Sequence, residues 1–134
     1  PLLVRRGYRG PIHTNPACAE LLPILLRDSA ELAARDAERR NRNSAADDPA
    51  IEPLYTLEDV GQVLKQLRTI PYNKRVDILP GVVAQVRDAG HIMGSSSVEV
   101  WLTEGAGKAV VRRKLVLSGA LCRYNAPILQ DAWD

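Results

Sequence analysis

The spacing of apolar residues changes midway along this 134-residue chain, and that change most constrains its fold. In residues 60–67, apolar side chains recur at i, i+3, i+4 and i+7, the spacing of an amphipathic helix. Around Val98, Val100 and Leu102 they alternate with polar neighbours, which is typical of a strand. The chain is therefore predicted to be an α/β protein with helices in the first half and a sheet in the second.

A long helix is predicted to begin at Asn15 and Pro16. Asparagine caps free backbone amides, and proline fits the first helical position because it has no N–H to satisfy. The pattern continues to about Arg42, and Pro23 is expected to kink or restart the first turns. Its apolar face is expected to comprise Leu21, Leu22, Leu25, Leu32 and Ala33. A polar loop over residues 43–55 separates it from a second helix that Thr56 begins.

Short apolar segments bounded by turn residues predict the strands. One strand is expected near residues 11–14, and at least four follow in series between Arg75 and Ser118. The turns at Pro80–Gly81 and residues 105–107 favour antiparallel pairing of neighbours. A short helix end is expected over residues 1–6.

Composition excludes several classes of protein. With 18 basic and 16 acidic residues the net charge is +2, too balanced to demand a polyanionic partner, and 4% aromatic residues give little for base stacking. No apolar run approaches the ~18 residues of a membrane span, so we expect no membrane contact. Two cysteines favour a reduced, cytoplasmic location.

The first candidate for chemistry is the segment from Asp88 to Ser96, Asp-Ala-Gly-His-Ile-Met-Gly-Ser-Ser. Gly90 and Gly94 permit positive φ, so His91 is expected in a tight loop at a strand end. A neutral imidazole is a good zinc ligand. The alternative is a loop histidine hydrogen-bonded to backbone, and no second ligand lies beside it at metal-binding spacing.

The second candidate is the strand end at residues 115–124. Such ends often carry an acidic ligand, but Ala120 has no donor atom after Gly119. Cys122 is either a thiolate ligand or a small core residue. His13 and Cys18 lie five apart, which is not a metal-binding spacing, and we treat both as structural.

Together these segments resemble the metallo-β-lactamase fold in its β-CASP branch of RNA-processing nucleases, which includes the ribonuclease J type and the mRNA 3′-end endonucleases. Residues 88–96 resemble the third metal motif, D-A-G-H-I-L-G-S-A, and depart from it at Met93 and Ser96. Residues 115–124 resemble the fourth, L-V-F-S-G-D-L-G-R-Y. The likeness extends over nearly the whole chain.

The resemblance implies an αβ/βα sandwich in which two zinc ions activate a hydroxide that attacks an RNA phosphodiester. It makes His91 a zinc ligand and puts Ala120 where the family has the bridging aspartate. Loss of a residue that only supports a metal ligand lowers metal affinity or activity ~10–100-fold, and loss of a ligand itself should lower them more. We therefore expect this chain to be inactive and to retain no zinc pair. The His91 ring and the Ala120 Cβ are expected at the same end of the sheet, facing a common hollow.

The family's H-x-H-x-D-H motif is not in this chain, which we therefore expect to be an internal segment (residues 1–134) of one such domain, without its first metal-motif strands or the β-CASP domain. An uncovered sheet edge would then favour self-association. Two other hypotheses remain open: a non-catalytic scaffold relative, and a hydrolase of small esters or thioesters on the same fold.

Overall fold

Helices occupy the first half of the chain and an antiparallel sheet the second, as the change of spacing predicts. The structure, a computed structural model, describes residues 1–45, 48–105 and 109–121. Its elements are α1 (Leu2–Arg5), β1 (Ile12–Thr14), α2 (Pro16–Asn43), α3 (Leu57–Gln66), β2 (Leu67–Thr69), β3 (Val76–Leu79), β4 (Val82–Asp88), β5 (Ser96–Glu104) and β6 (Val111–Leu117). No helix among the described residues is both long and apolar enough to cross a bilayer.

Two compact units divide the chain. The first comprises residues 1–13 and 19–68, and the second residues 14–18 and 69–134. In the first unit, Val60 and Val63 lie on the apolar side of α3 and are buried. Thr56 and Asp59 form a complete capping box, each side chain accepting the other residue's backbone N–H, so α3 begins where the sequence predicts.

The second unit is built on a four-stranded sheet in the order β3-β4-β5-β6, with every neighbouring pair antiparallel. Its core is formed by Ile70, Ala84 and Val86, with partly buried apolar side chains around them. Because β4 and β6 run in the same direction on either side of β5, both strands terminate at the same end of the sheet.

Strand β6 is exposed along its whole length. It is the last strand in the sheet order, and Val116 and Leu117 are each 60% exposed. Among the described residues, it therefore presents an open edge together with apolar side chains.

The structure corrects the expected apolar face of α2. The helix continues through Pro23 as a single element, so it does not restart there. Of the expected face, Leu21, Leu25 and Leu32 are exposed and Leu22 and Ala33 are half-buried, whereas Ala30 and Ala37 are buried. At 100° per residue the two buried alanines lie opposite the three exposed leucines, so the short side chains form the packed side.

The end of α3 also differs from the expectation. The sequence predicts a helix that ends at residues 70–73, but Leu67 turns to extended backbone with φ −62° and ψ 136°. Residues 67–69 form β2, which pairs with β1 in a two-stranded sheet. A strand of three residues is too short to show an alternating pattern, so the sequence does not reveal it.

Candidate functional site

The loop between β4 and β5 carries His91. Asp88, the last residue of β4, pairs with Ser96, the first residue of β5, so the connection has only seven residues. Gly90 and Gly94 adopt φ values of 66° and 89°, which side chains with a Cβ rarely adopt. The two glycines thus allow the chain to reverse direction within this short connection.

Hydrogen bonds within the loop fix its backbone. The Ser95 hydroxyl oxygen accepts from the backbone N–H groups of His91 at 3.1 Å and Ile92 at 3.3 Å. The Ser95 N–H donates to the Ile92 carbonyl at 2.9 Å, and the Asp88 carboxylate accepts from the Gly90 N–H at 2.8 Å. The His91 backbone is therefore held from inside the loop.

The side chains at the loop tip point away from the core. His91 is exposed, and its neighbours Ile92 and Met93 are 60% and 75% exposed. The His91 imidazole is therefore accessible to solvent, and its role as a metal ligand stays a prediction.

The first turn of α2 packs against the other end of the loop. The Asn15 amide nitrogen donates to the Gly94 carbonyl at 2.6 Å and lies 2.7 Å from the Ser96 hydroxyl, while its oxygen accepts from the Cys18 N–H at 2.8 Å. The Cys18 thiol lies 3.0 Å from the same Gly94 carbonyl. A Cβ built on Gly94 would lie 3.3 Å from atoms of Ala17 and Cys18, so glycine permits this close approach.

The segment that follows β6 lies beside Ser96, where the same loop joins β5. Leu117 pairs with Val98, and a Cβ built on Gly119 would lie 3.1 Å from the Ser96 carbonyl oxygen. Ala120 follows shortly after β6, so the strand register puts it at the same end of the sheet as the loop that carries His91; that the two side chains face a common hollow stays a prediction. Cys122 is outside the described residues.

The described residues do not by themselves fit a zinc pair. Nowhere in the described part of the chain do three histidine, cysteine or acidic side chains lie close enough to hold a metal ion. Near the loop, the Asp88 carboxylate already accepts from Gly90, and the Cys18 thiol faces the Gly94 carbonyl. His13 is exposed on β1. Among these residues, His91 is thus the only one that matches a zinc ligand of the resembled family.

Sequence reasoning missed a charged cluster on β5. The Glu99 carboxylate, buried on the sheet, accepts from Arg87 at 2.9 Å and from Lys114 at 2.5 Å. These hydrogen bonds, from Lys114 first and Arg87 second, hold the pKa of Glu99 below its ordinary 4.5. The Trp101 ring lies beside it, with Arg75 4.2 Å and Lys114 5.3 Å from the ring centre. Strand alternation predicts Glu99 on a polar face, but only the strand register brings its partners together.

Comparisons with known proteins find relatives named as a ribonuclease and as transcription termination factors. Over 133 residues, 98% of this chain, it is 31% identical to the ribonuclease TTHA0252 of Thermus thermophilus. It is 31% identical over 106 residues, 78% of the chain, to the transcription termination factor FttA of Thermococcus kodakarensis. With FttA of Methanocaldococcus jannaschii it shares 25% identity over 130 residues, 92% of the chain.

The chain spans 24%, 14% and 18% of the length of these three proteins, respectively. No family model matches it. The matches to TTHA0252 and to the Methanocaldococcus protein extend over nearly all of the chain and therefore must include the loop that carries His91. The chain is thus a relative of a named ribonuclease and of named transcription termination factors, similar to a limited part of each.

Proposed function

We propose that this chain is part of a metal-dependent RNA-processing nuclease of the β-CASP branch of the metallo-β-lactamase fold. The observation that carries the proposal is the loop between β4 and β5. Its segment D-A-G-H-I matches the resembled metal motif. Two glycines with positive φ allow the tight loop that carries His91 at the end of the sheet where β6 also terminates. Similarity to a ribonuclease over 98% of the chain supports the same assignment.

In this proposal His91 contributes one zinc ligand, and RNA is the substrate. The chain corresponds to a central part of the metallo-β-lactamase domain, in a cytoplasmic protein. Its coverage of 24% of the named ribonuclease is consistent with a partial domain. Because a zinc site needs about four ligands, the remaining ligands come from residues other than those described. The chain by itself is then inactive.

A non-catalytic relative is the second candidate, and Ala120 is the observation that favours it. Ala120 follows β6 at the end of the sheet that carries His91, where the resembled family has a bridging carboxylate. The methyl group of Ala120 offers no donor atom to a metal. A protein that has lost this ligand would serve as a scaffold or an interaction module.

Expression of the complete reading frame that encodes this chain tests the proposal. The flanking sequence is determined, and the encoded protein is assayed for cleavage of a labelled RNA with zinc supplied. An H-x-H-x-D-H motif with RNA cleavage that falls more than ~100-fold on His91→Ala supports a catalytic site. His13→Ala is the matched control, because His13 is the other histidine of the chain and is exposed.

Ala120→Asp separates the two candidates. Cleavage that appears only in this variant supports the metal site and shows that the natural chain is inactive. Equal activity of the His91→Ala and His13→Ala variants contradicts the proposal. So does a protein that lacks the upstream motif and cleaves no RNA with or without Ala120→Asp, and that result favours the scaffold.

A further inference from the structure

The Asn15 side chain joins the first turn of α2 to the His91 loop with both ends of its amide. It is 3% exposed, and its three short hydrogen bonds satisfy it in the interior. The oxygen accepts from the Cys18 N–H at 2.8 Å. The nitrogen has two donors, and these reach the Gly94 carbonyl at 2.6 Å and the Ser96 hydroxyl at 2.7 Å.

Helix capping alone does not require asparagine at this position. Serine, threonine and aspartate also cap helices, because each has an oxygen that accepts from the first-turn amides. None of these can donate to two acceptors in the loop, and an ionised aspartate is an acceptor only. The nitrogen half of the Asn15 amide therefore has a role distinct from that of the oxygen half.

The nitrogen half reaches the two residues that flank Ser95. Gly94 and Ser96 are both bound by Asn15, and the Ser95 hydroxyl between them accepts from the His91 N–H at 3.1 Å. The buried Ala89 N–H donates to the Ser95 carbonyl at 3.3 Å, at the other side of the loop. Displacing Gly94 and Ser96 would thus displace the group that holds the His91 backbone.

We infer that Asn15 is a positioning residue, which holds the loop through its amide nitrogen so that His91 is presented in one orientation. The consequence for catalysis rests on the proposed function. The positioning itself depends only on these contacts and is measurable without any activity.

Asn15→Asp tests the inference because it keeps the capping oxygen and removes both donors. It also places a carboxylate against the Gly94 carbonyl. We expect the Cys18 amide to keep its protection in hydrogen exchange followed by NMR. The Ala89 and His91 amides should exchange about fivefold to a hundredfold faster, the range expected for leaving a buried acceptor unpaired. The His91 ring signals should shift or split.

Asn15→Ala and Thr56→Ala are the matched controls. Asn15→Ala removes both halves, so the Cys18 amide should also lose protection. Thr56→Ala removes the cap of α3 in the first unit, and after correction for global stability it should leave the exchange of His91 and Ala89 unchanged.

Unchanged exchange at His91 and Ala89 in Asn15→Asp would overturn the inference and leave Asn15 as a helix cap only. If that variant does not fold, Ser96→Ala decides the matter, because it removes one acceptor of the Asn15 nitrogen and leaves the helix cap intact. Faster exchange of His91 in Ser96→Ala supports the inference, and unchanged exchange overturns it. These outcomes are the same whether or not the complete protein cleaves RNA.

Discussion

Replacing Gly94 by alanine should destabilise the fold for two separable reasons. The first is backbone strain, because Gly94 has φ 89° and a residue with a Cβ pays about 1–2 kcal/mol for a left-handed conformation. The second is overpacking, because the new Cβ would lie 3.3 Å from the Ala17 Cβ and from the Cys18 N and Sγ atoms. Two of these three atoms belong to short, stiff parts of α2, so relief requires movement of the helix.

Overpacking of this kind costs about 1–3 kcal/mol, so the total expected loss is about 2–5 kcal/mol. Gly7→Ala is the matched control, because Gly7 also has a positive φ of 103° but a Cβ there would have no atom within 4 Å. That variant should therefore lose only the strain energy, about 1–2 kcal/mol.

Urea denaturation followed by circular dichroism measures both losses under the same conditions. A loss for Gly94→Ala that exceeds the loss for Gly7→Ala by about 1–3 kcal/mol supports the close packing of α2 on the loop. Equal losses would refute the packing argument, and a loss below about 1 kcal/mol for both variants would refute the strain argument as well.

Three further predictions follow from the charges, the ligands and the open edge. Because the folded-state pKa of Glu99 is lowered, its contribution to stability is complete above pH 4.5 and is lost as the pH falls through the folded-state value. Glu99→Gln should therefore lower the free energy of unfolding at neutral pH by about 1 kcal/mol and Tm by about 3–5 °C, and this difference from the wild type should vanish in acid. Glu104→Gln, at an exposed position, should change Tm little. A difference between Glu99→Gln and wild type that does not depend on pH would contradict the charge argument. The isolated chain should hold less than one zinc per molecule after dialysis, measured by elemental analysis, and close to two zinc lost on His91→Ala would show that other residues complete the site. The isolated chain should also associate through β6, so that Val116→Lys lowers the mass from light scattering, and a monodisperse wild-type monomer would contradict this.

Local chemistry in the sequence determined most of the elements. The Asn15–Pro16 pair begins α2, and Thr56 with Asp59 begins α3, because capping depends only on residues three or four apart. Alternation predicted β5, short apolar segments bounded by turns predicted the other strands of the sheet, and the two glycines predicted a tight loop that carries His91. These features require no knowledge of distant parts of the chain.

Tertiary structure decided the features that depend on residues far apart in sequence. The burial of Glu99 between Arg87 and Lys114 follows from the register of three strands, which alternation alone does not set. The second role of Asn15 depends on a contact with Gly94, 79 residues away. Packing also decided which side of α2 is buried. Apolar residues occur around much of that helix, so the sequence alone does not indicate which of them contact the rest of the protein.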